Sequence, residues 1–224
     1  MTRILKQMAW LTLKDLRIES RTRQTLGLVV VLGILIVTVL GFGLGPQQAA
    51  GPAAAGVLWV AYLFSGVLCF EKTMAWERQD GALLGLLLAP VDRGVIYAAK
   101  LCSNLLLMLA VAAVVTPVAI VFFHFDLSAA PLRFLTIIAL SMLGFAAVGT
   151  LFAAVVSSSR LQGGLLALVV FPLTLPLVIA SSHLMQRLAE QSESVSGSGF
   201  ALLIAFDLIF LALSWLAFEW VLEP

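Results

Sequence analysis

The sequence predicts an all-α integral membrane protein. It has six transmembrane helices, an N-terminal amphipathic interfacial helix, and a short cytoplasmic helix between spans two and three. Three observations carry this prediction. Of 224 residues, 62% are hydrophobic and only 11% are charged, whereas soluble domains are near a quarter charged. The mean hydropathy is +1.09. The apolar residues fall in continuous runs long enough to cross a hydrocarbon layer about 30 Å thick, not in the alternating pattern of a barrel strand.

The elements follow in chain order. Residues 1–24 form the interfacial helix, and residues 25–224 form one six-span domain. On a helical wheel Arg3, Lys6, Lys14, Arg17 and Arg21 share one arc, with Ile4, Leu5, Met8, Leu11, Leu16 and Ile18 on the opposite half. That is the pattern of a helix lying among anionic headgroups. Asp15 and Glu19 break it from the apolar side, and at least one of them is expected to pair with protein rather than lipid. The start, MTRILKQMAW, has no early apolar stretch, so no cleavable signal peptide is expected. The six spans are predicted near residues 26–45, 54–70, 95–123, 133–156, 163–182 and 200–222.

Charge sets the orientation. Eleven of the 13 basic residues lie before span one, between spans two and three, or between spans four and five. Only Arg133 and Arg187 fall on the other side. The positive-inside rule therefore places both termini in the cytoplasm.

Residues 71–100 hold eight of the 25 charged residues. Asp80 and Gly81 are a helix-opening pair with Asp at the cap, Pro90 ends the helix, and Asp92 caps the one that follows. Between the caps lie Leu83, Leu84, Leu86, Leu87 and Leu88, too short a run to span a bilayer. A leucine-rich helix flanked by Glu77, Arg78, Asp80, Asp92 and Arg93 must bury its apolar face in headgroups, in its own bundle or in a soluble partner. The acid density favours the partner.

The pattern ERQDGALLGLLLAP, followed by Tyr97 and Lys100, resembles the second-to-third connection of ABC-2-type permeases. The chain as a whole is similar to the haem exporter protein B family, the permease subunit of bacterial cytochrome c maturation. The resemblance rests on KDLRIESRTR (14–23), LWVAYLFSG (58–66), ERQDGALLGLLLAPVDRG (77–94), LGFAAVGTLFAA (143–154) and GGLLALVVFPLTLPLVIA (163–180). It implies a six-helix permease half, paired with a second copy of itself and with ATP-binding subunits. Haem-handling membrane subunits and a periplasmic haem chaperone are the other implied partners. It implies location in the bacterial inner membrane and no cofactor on this chain, with haem as cargo and ATP on the partner. It also implies that the segment 71–100 includes a coupling helix docking on the ATPase, to which Glu77, Arg78, Asp80, Gly81, Leu84, Pro90, Asp92, Arg93 and Lys100 correspond by position. The alternative within the same fold is an exporter of another amphipathic substrate: lipid, glycan or drug.

Other candidates are weighed on their chemistry. Gly51 and Gly56 have phosphate-loop spacing, but Val57 and Leu58 stand where Lys and Ser/Thr are required. Gly41, Gly43 and Gly45 read as helix packing or chain reversal rather than a dinucleotide fingerprint, since Pro46 follows in an apolar run. His124 and His183 are interfacial histidines that share no haem-binding motif. Asp207 is an acid inside the last span, a functional candidate by its depth. Pro172 and Pro176 are expected to kink or interrupt span five, and Gly144 and Gly149 to admit close helix approach. Ser157–Ser159 and Ser181–His183 lack the arrangement of a nucleophile and base, so no catalysis is expected of this chain. The spans offer almost no cationic lining for a porphyrin's two carboxylates. That favours a mechanical role, in which ATP energy releases a loaded chaperone, over passage of haem through the subunit.

Overall fold

The structure is a computed structural model that describes residues 2–49, 52–79, 85, 91–123, 130–158, 164–189 and 197–221. The described residues form seven long helices: α1 (Thr2–Thr22), α2 (Gln24–Ala49), α3 (Pro52–Gln79), α4 (Arg93–Phe123), α5 (Pro131–Ser158), α6 (Leu165–Ala189) and α7 (Gly197–Val221). Six of them, α2 to α7, are long and apolar enough to cross a membrane. The chain is an all-α integral membrane protein, as its composition predicts.

Punctuation is local and chemical. Pro52 and Pro131 open α3 and α5 at a first-turn position where the missing amide costs no hydrogen bond. Arg23 turns the chain between α1 and α2 with φ of 50°, in the left-handed region. Gly164, with φ of 80°, precedes α6, and its carbonyl accepts from Leu168 N–H at 3.1 Å. Two boundaries differ from the hydropathy reading. Helix α3 runs to Gln79 rather than stopping at residue 70, because a helix continues as a polar turn once its apolar run has ended. Helix α6 is unbroken across Pro172 and Pro176 and reaches Ala189, so the prolines do not interrupt it.

Helices α3 and α5 form the buried centre, with α2, α6 and α7 largely facing outward. Lipid tails are as apolar as leucine, so association rests on close packing and interhelical hydrogen bonds. The centre shows both. Phe145 of α5 lies over Gly66 of α3, and Phe70 of α3 lies over Gly149 of α5, each ring occupying the space a Cβ would need. The two rings meet edge-on at 5.1 Å. Because 66 pairs with 145 and 70 with 149, the two helices run in the same direction, as spans two and four must.

Hydroxyl pairs fasten the outer helices to this centre. Tyr62 and Thr116 join α3 to α4 at 2.6 Å, and Ser65 Oγ donates to the Val29 carbonyl of α2 at 3.1 Å. Ser141 and Ser181 join α5 to α6 at 2.6 Å. Ser214 of α7 and Tyr97 of α4 both donate to the Ala147 carbonyl of α5, at 3.3 and 3.4 Å. Such contacts contribute on the order of 1 kcal/mol each in a bilayer.

Candidate functional site

At the end of the bundle that carries α1, three helices converge on the entry to α4. Thr12 Oγ donates to the Ala99 carbonyl at 3.2 Å, laying α1 along α4. One turn further, Lys100 Nζ donates to Asp15 Oδ2 at 2.7 Å, and Ser103 Oγ donates to the same oxygen at 3.3 Å. Lys14 Nζ approaches Asp15 Oδ1 at 3.3 Å. The Lys100 side chain is 6% exposed and that of Asp15 is 15% exposed, so both charges are largely withdrawn from water. In that setting removing one partner leaves an uncompensated charge, which is far costlier than the pair's net contribution.

Glu19 is engaged as well. Its Oε1 accepts from Leu26 N–H at 2.6 Å, satisfying an orphan amide at the start of α2. Both acids that break the amphipathic pattern of α1 therefore bind protein. The face of α1 against α4 is Met8, Leu11, Thr12, Asp15 and Leu16, while Ile4, Leu5, Trp10, Leu13 and Ile18 remain exposed for a membrane surface.

Asp92 caps α4, as its sequence position predicts. Its Oδ1 accepts from Gly94 N–H at 3.2 Å, and its carbonyl accepts from Val95 and Ile96 N–H at 3.0 and 3.2 Å. Asp92→Ala is expected to weaken this first turn by about 1 kcal/mol. Amide exchange at Gly94–Ile96 should be roughly fivefold faster, and unchanged exchange would remove the capping role. Gly94 lies under the Trp215 ring of α7, which occupies the space of a Cβ, and the Tyr97 ring packs at a tilt of 50° against Phe218 with centroids 5.1 Å apart. A second polar layer lies inside the first. Thr73 Oγ donates to Asn104 Oδ1 at 3.0 Å, and Asn104 Nδ2 donates to Thr150 Oγ at 2.9 Å, joining α3, α4 and α5.

The residues singled out from the sequence distribute as follows. Glu77 and Arg78 lie in the last turns of α3. Asp80, Gly81, Leu84 and Pro90 lie outside the described residues, as do His124, Arg160 and all of the leucine-rich segment except Gly85, which is helical and exposed. Asp92, Arg93 and Lys100 open α4, with Lys100 turned inward onto Asp15. The described residues that flank 80–90 belong to α3 and α4, two helices joined by Thr73–Asn104, and α4 is tied to α1 by Asp15–Lys100. Asp15, Ser103 and Asn104 are the site residues that the sequence reading did not assign to a site. A lone acid on the apolar side of α1 was the available signal for Asp15.

Asp207 lies apart from this cluster. It is 3% exposed, and neither carboxylate oxygen has a hydrogen-bond partner among the described residues. Its Oδ1 occupies the space beside Gly144, against Leu177 and Phe206. Gly144 and Gly149 are both close-approach positions, one for a carboxyl and one for the Phe70 ring. Gly41 of α2 packs on Phe122 and Phe123 of α4, a close approach between helices. His183 is exposed on α6, and Pro172 and Pro176 lie on exposed positions of the same helix. No group of three or more His, Cys, Asp or Glu suited to a metal occurs among the described residues.

Comparison with known proteins agrees over nearly the whole chain. The family model described as "CcmB protein" matches residues 6–223. Heme exporter protein B of Paracoccus denitrificans (strain Pd 1222) is 32% identical over 209 residues, covering 91% of this chain and 93% of its own length. Heme exporter protein B of Rhodobacter capsulatus is 28% identical over 178 residues, 79% of this chain and 81% of the relative. The protein of the same name from Escherichia coli (strain K12) is 28% identical over 91 residues, 40% of this chain.

Proposed function

Because the chain belongs to the CcmB protein family, we propose that it is the permease subunit of an ABC complex for haem export in cytochrome c maturation. It lies in the bacterial inner membrane with both termini cytoplasmic, pairs with a second copy, and carries no ATPase of its own. An ATP-binding subunit docks on the segment around residues 80–89. Haem-handling membrane subunits and a periplasmic haem chaperone complete the assembly.

The observation that carries the coupling reading is the Asp15–Lys100 ion pair. It sits where the segment re-enters the bundle and binds α4 to α1. A push on the segment is thereby shared between α3, α4 and the interfacial helix rather than absorbed at one flexible entry. Rigid-body or shear movement of packed helices is the response such a clamp permits. Lys100 acts here as an internal anchor for α4, and Glu77, Arg78 and Asp80 are the charges offered to the ATPase.

The mechanical role is favoured over passage through a single copy. Asn104 and most of the buried hydroxyls bond to neighbouring helices, and Lys100, the buried cation among the described residues, is held by Asp15 at one end of the bundle. That interior offers no counter-charge to two porphyrin carboxylates. ATP energy is then spent on releasing the loaded chaperone from a neighbouring subunit.

Arg78→Glu and Asp80→Arg test the coupling. Each variant is expected to insert normally, while haem loading of the chaperone by the complex falls at least about tenfold, as loss of one interfacial charge pair would produce. Normal loading in both variants would contradict docking through this segment. A return of loading on charge reversal of the facing residues of the ATP-binding subunit would identify the contact.

A further inference from the structure

We propose that the groove between α6 and α7, at the end of the bundle away from α1, is a binding site for an anionic phospholipid. The groove has a volume of about 400 Å³ and is lined by Pro176, Ile179, His183 and Arg187 of α6 and by Ser198 and Leu202 of α7. The α6 residues recur every three or four positions, so they form one stripe along the helix. That stripe is graded: Pro176 and Ile179 are apolar, His183 follows a turn later, and Arg187 stands at the mouth.

Three measures match a phospholipid. From Pro176 to Arg187 is eleven residues, or about 16 Å along the axis, close to the ~15 Å of hydrocarbon in one leaflet. Arg187 lies at the end of the apolar span Leu165–Leu188, at headgroup depth. The groove opens sideways through Ile179 and Leu202, which are 55% and 44% exposed, as an acyl chain entering from lipid requires. Charge complementarity selects the headgroup. Arg187 forms no ion pair with a described residue, and a cation beside His183 and Ser198 at the polar end of a largely apolar groove suits a phosphodiester that carries net negative charge. A water-soluble anion would leave the apolar length unfilled, and a compact planar ligand would not use it.

The test uses the full chain in nanodiscs, with photoactivatable phosphatidylglycerol and phosphatidylcholine that carry the reactive group on the acyl chain. Cross-linking to the peptide 176–202 is expected to favour phosphatidylglycerol about fivefold, the preference one interfacial cation supplies. Arg187→Gln should abolish that preference and Arg187→Lys should retain it. Ile179→Trp, which fills the groove, should reduce labelling by both lipids. Equal labelling of the parent chain by the two lipids would overturn the proposal, as would a preference that survives Arg187→Gln. Loss of phosphatidylglycerol labelling on adding equimolar haemin would overturn it too and assign the groove to haem.

Discussion

Lys100→Met is expected to release α1 from the bundle. The substitution keeps the length and apolar stem of the side chain but leaves Asp15 with its main counter-charge gone and its carboxylate largely withdrawn from water. Breaking a buried pair costs about 3–5 kcal/mol, and the low end applies because Lys14 still approaches Asp15. At 1.4 kcal/mol per factor of ten, about 3 kcal/mol corresponds to amide exchange in α1 that is roughly 100-fold faster. The double variant Asp15→Leu with Lys100→Met removes both charges and fills the site with apolar atoms. It is expected to return to within about 1 kcal/mol of the parent chain. The two variants separate packing from coupling: the double variant should restore α1 without restoring the directional ion pair. Parent-like exchange in the single variant, or a double variant no better than the single, would show that α1 is held by other contacts.

Gly149→Ala should be the most damaging of the glycine substitutions, because its Cβ would enter the Phe70 ring at the centre of the bundle. Gly66→Ala meets Phe145 in the same way from the opposite helix. Each is expected to cost about 1–3 kcal/mol through overpacking, since both rings are buried at the centre of the bundle. Gly43→Ala, whose Cβ would meet nothing within 4 Å, is the internal control and should be neutral or slightly favourable by helix propensity. Adding Phe70→Leu to Gly149→Ala should recover part of the loss by shrinking the knob that the new methyl strikes. Thermal unfolding of the full chain in a fixed detergent orders the four variants. Equal midpoints for Gly149→Ala and Gly43→Ala would contradict the reciprocal packing of α3 and α5.

Much of the fold was legible because a bilayer is a severe solvent. A run of some twenty apolar residues has few alternatives to a spanning helix, and all six were found from that length alone. The differences arise where apolar length alone does not decide. Hydropathy ends at Phe70, yet α3 continues to Gln79, because helix continuation outside hydrocarbon is set by propensity and capping rather than by transfer energy. The sequence offers a kink or an interruption at Pro172 and Pro176; α6 passes through both uninterrupted, as transmembrane helices can when neighbours re-satisfy the freed carbonyls.

The candidate site was only half legible. Asp92 announced its capping role through its place before an apolar run, which is a local signal. Asp15 announced only that it was anomalous. Its partner lies 85 positions away, and no spacing rule links a carboxylate on an interfacial helix to a lysine at the start of a later span. By resemblance Lys100 corresponds by position to the coupling segment, and in the structure its Nζ donates to Asp15. The same blindness applies to Gly144 and Asp207, whose contact exists only once α5 and α7 are laid side by side.

On the proposed coupling, ATP-driven movement enters this chain through residues 80–90, which connect α3 to α4. A photoactivatable amino acid placed at Leu84, in the complex assembled in native membranes, tests it most directly. A cross-link to the ATP-binding subunit is expected, with a yield that changes when nucleotide is hydrolysed. Cross-links to lipid alone at this position, with the ATP-binding subunit captured instead from the opposite end of the bundle, would contradict it.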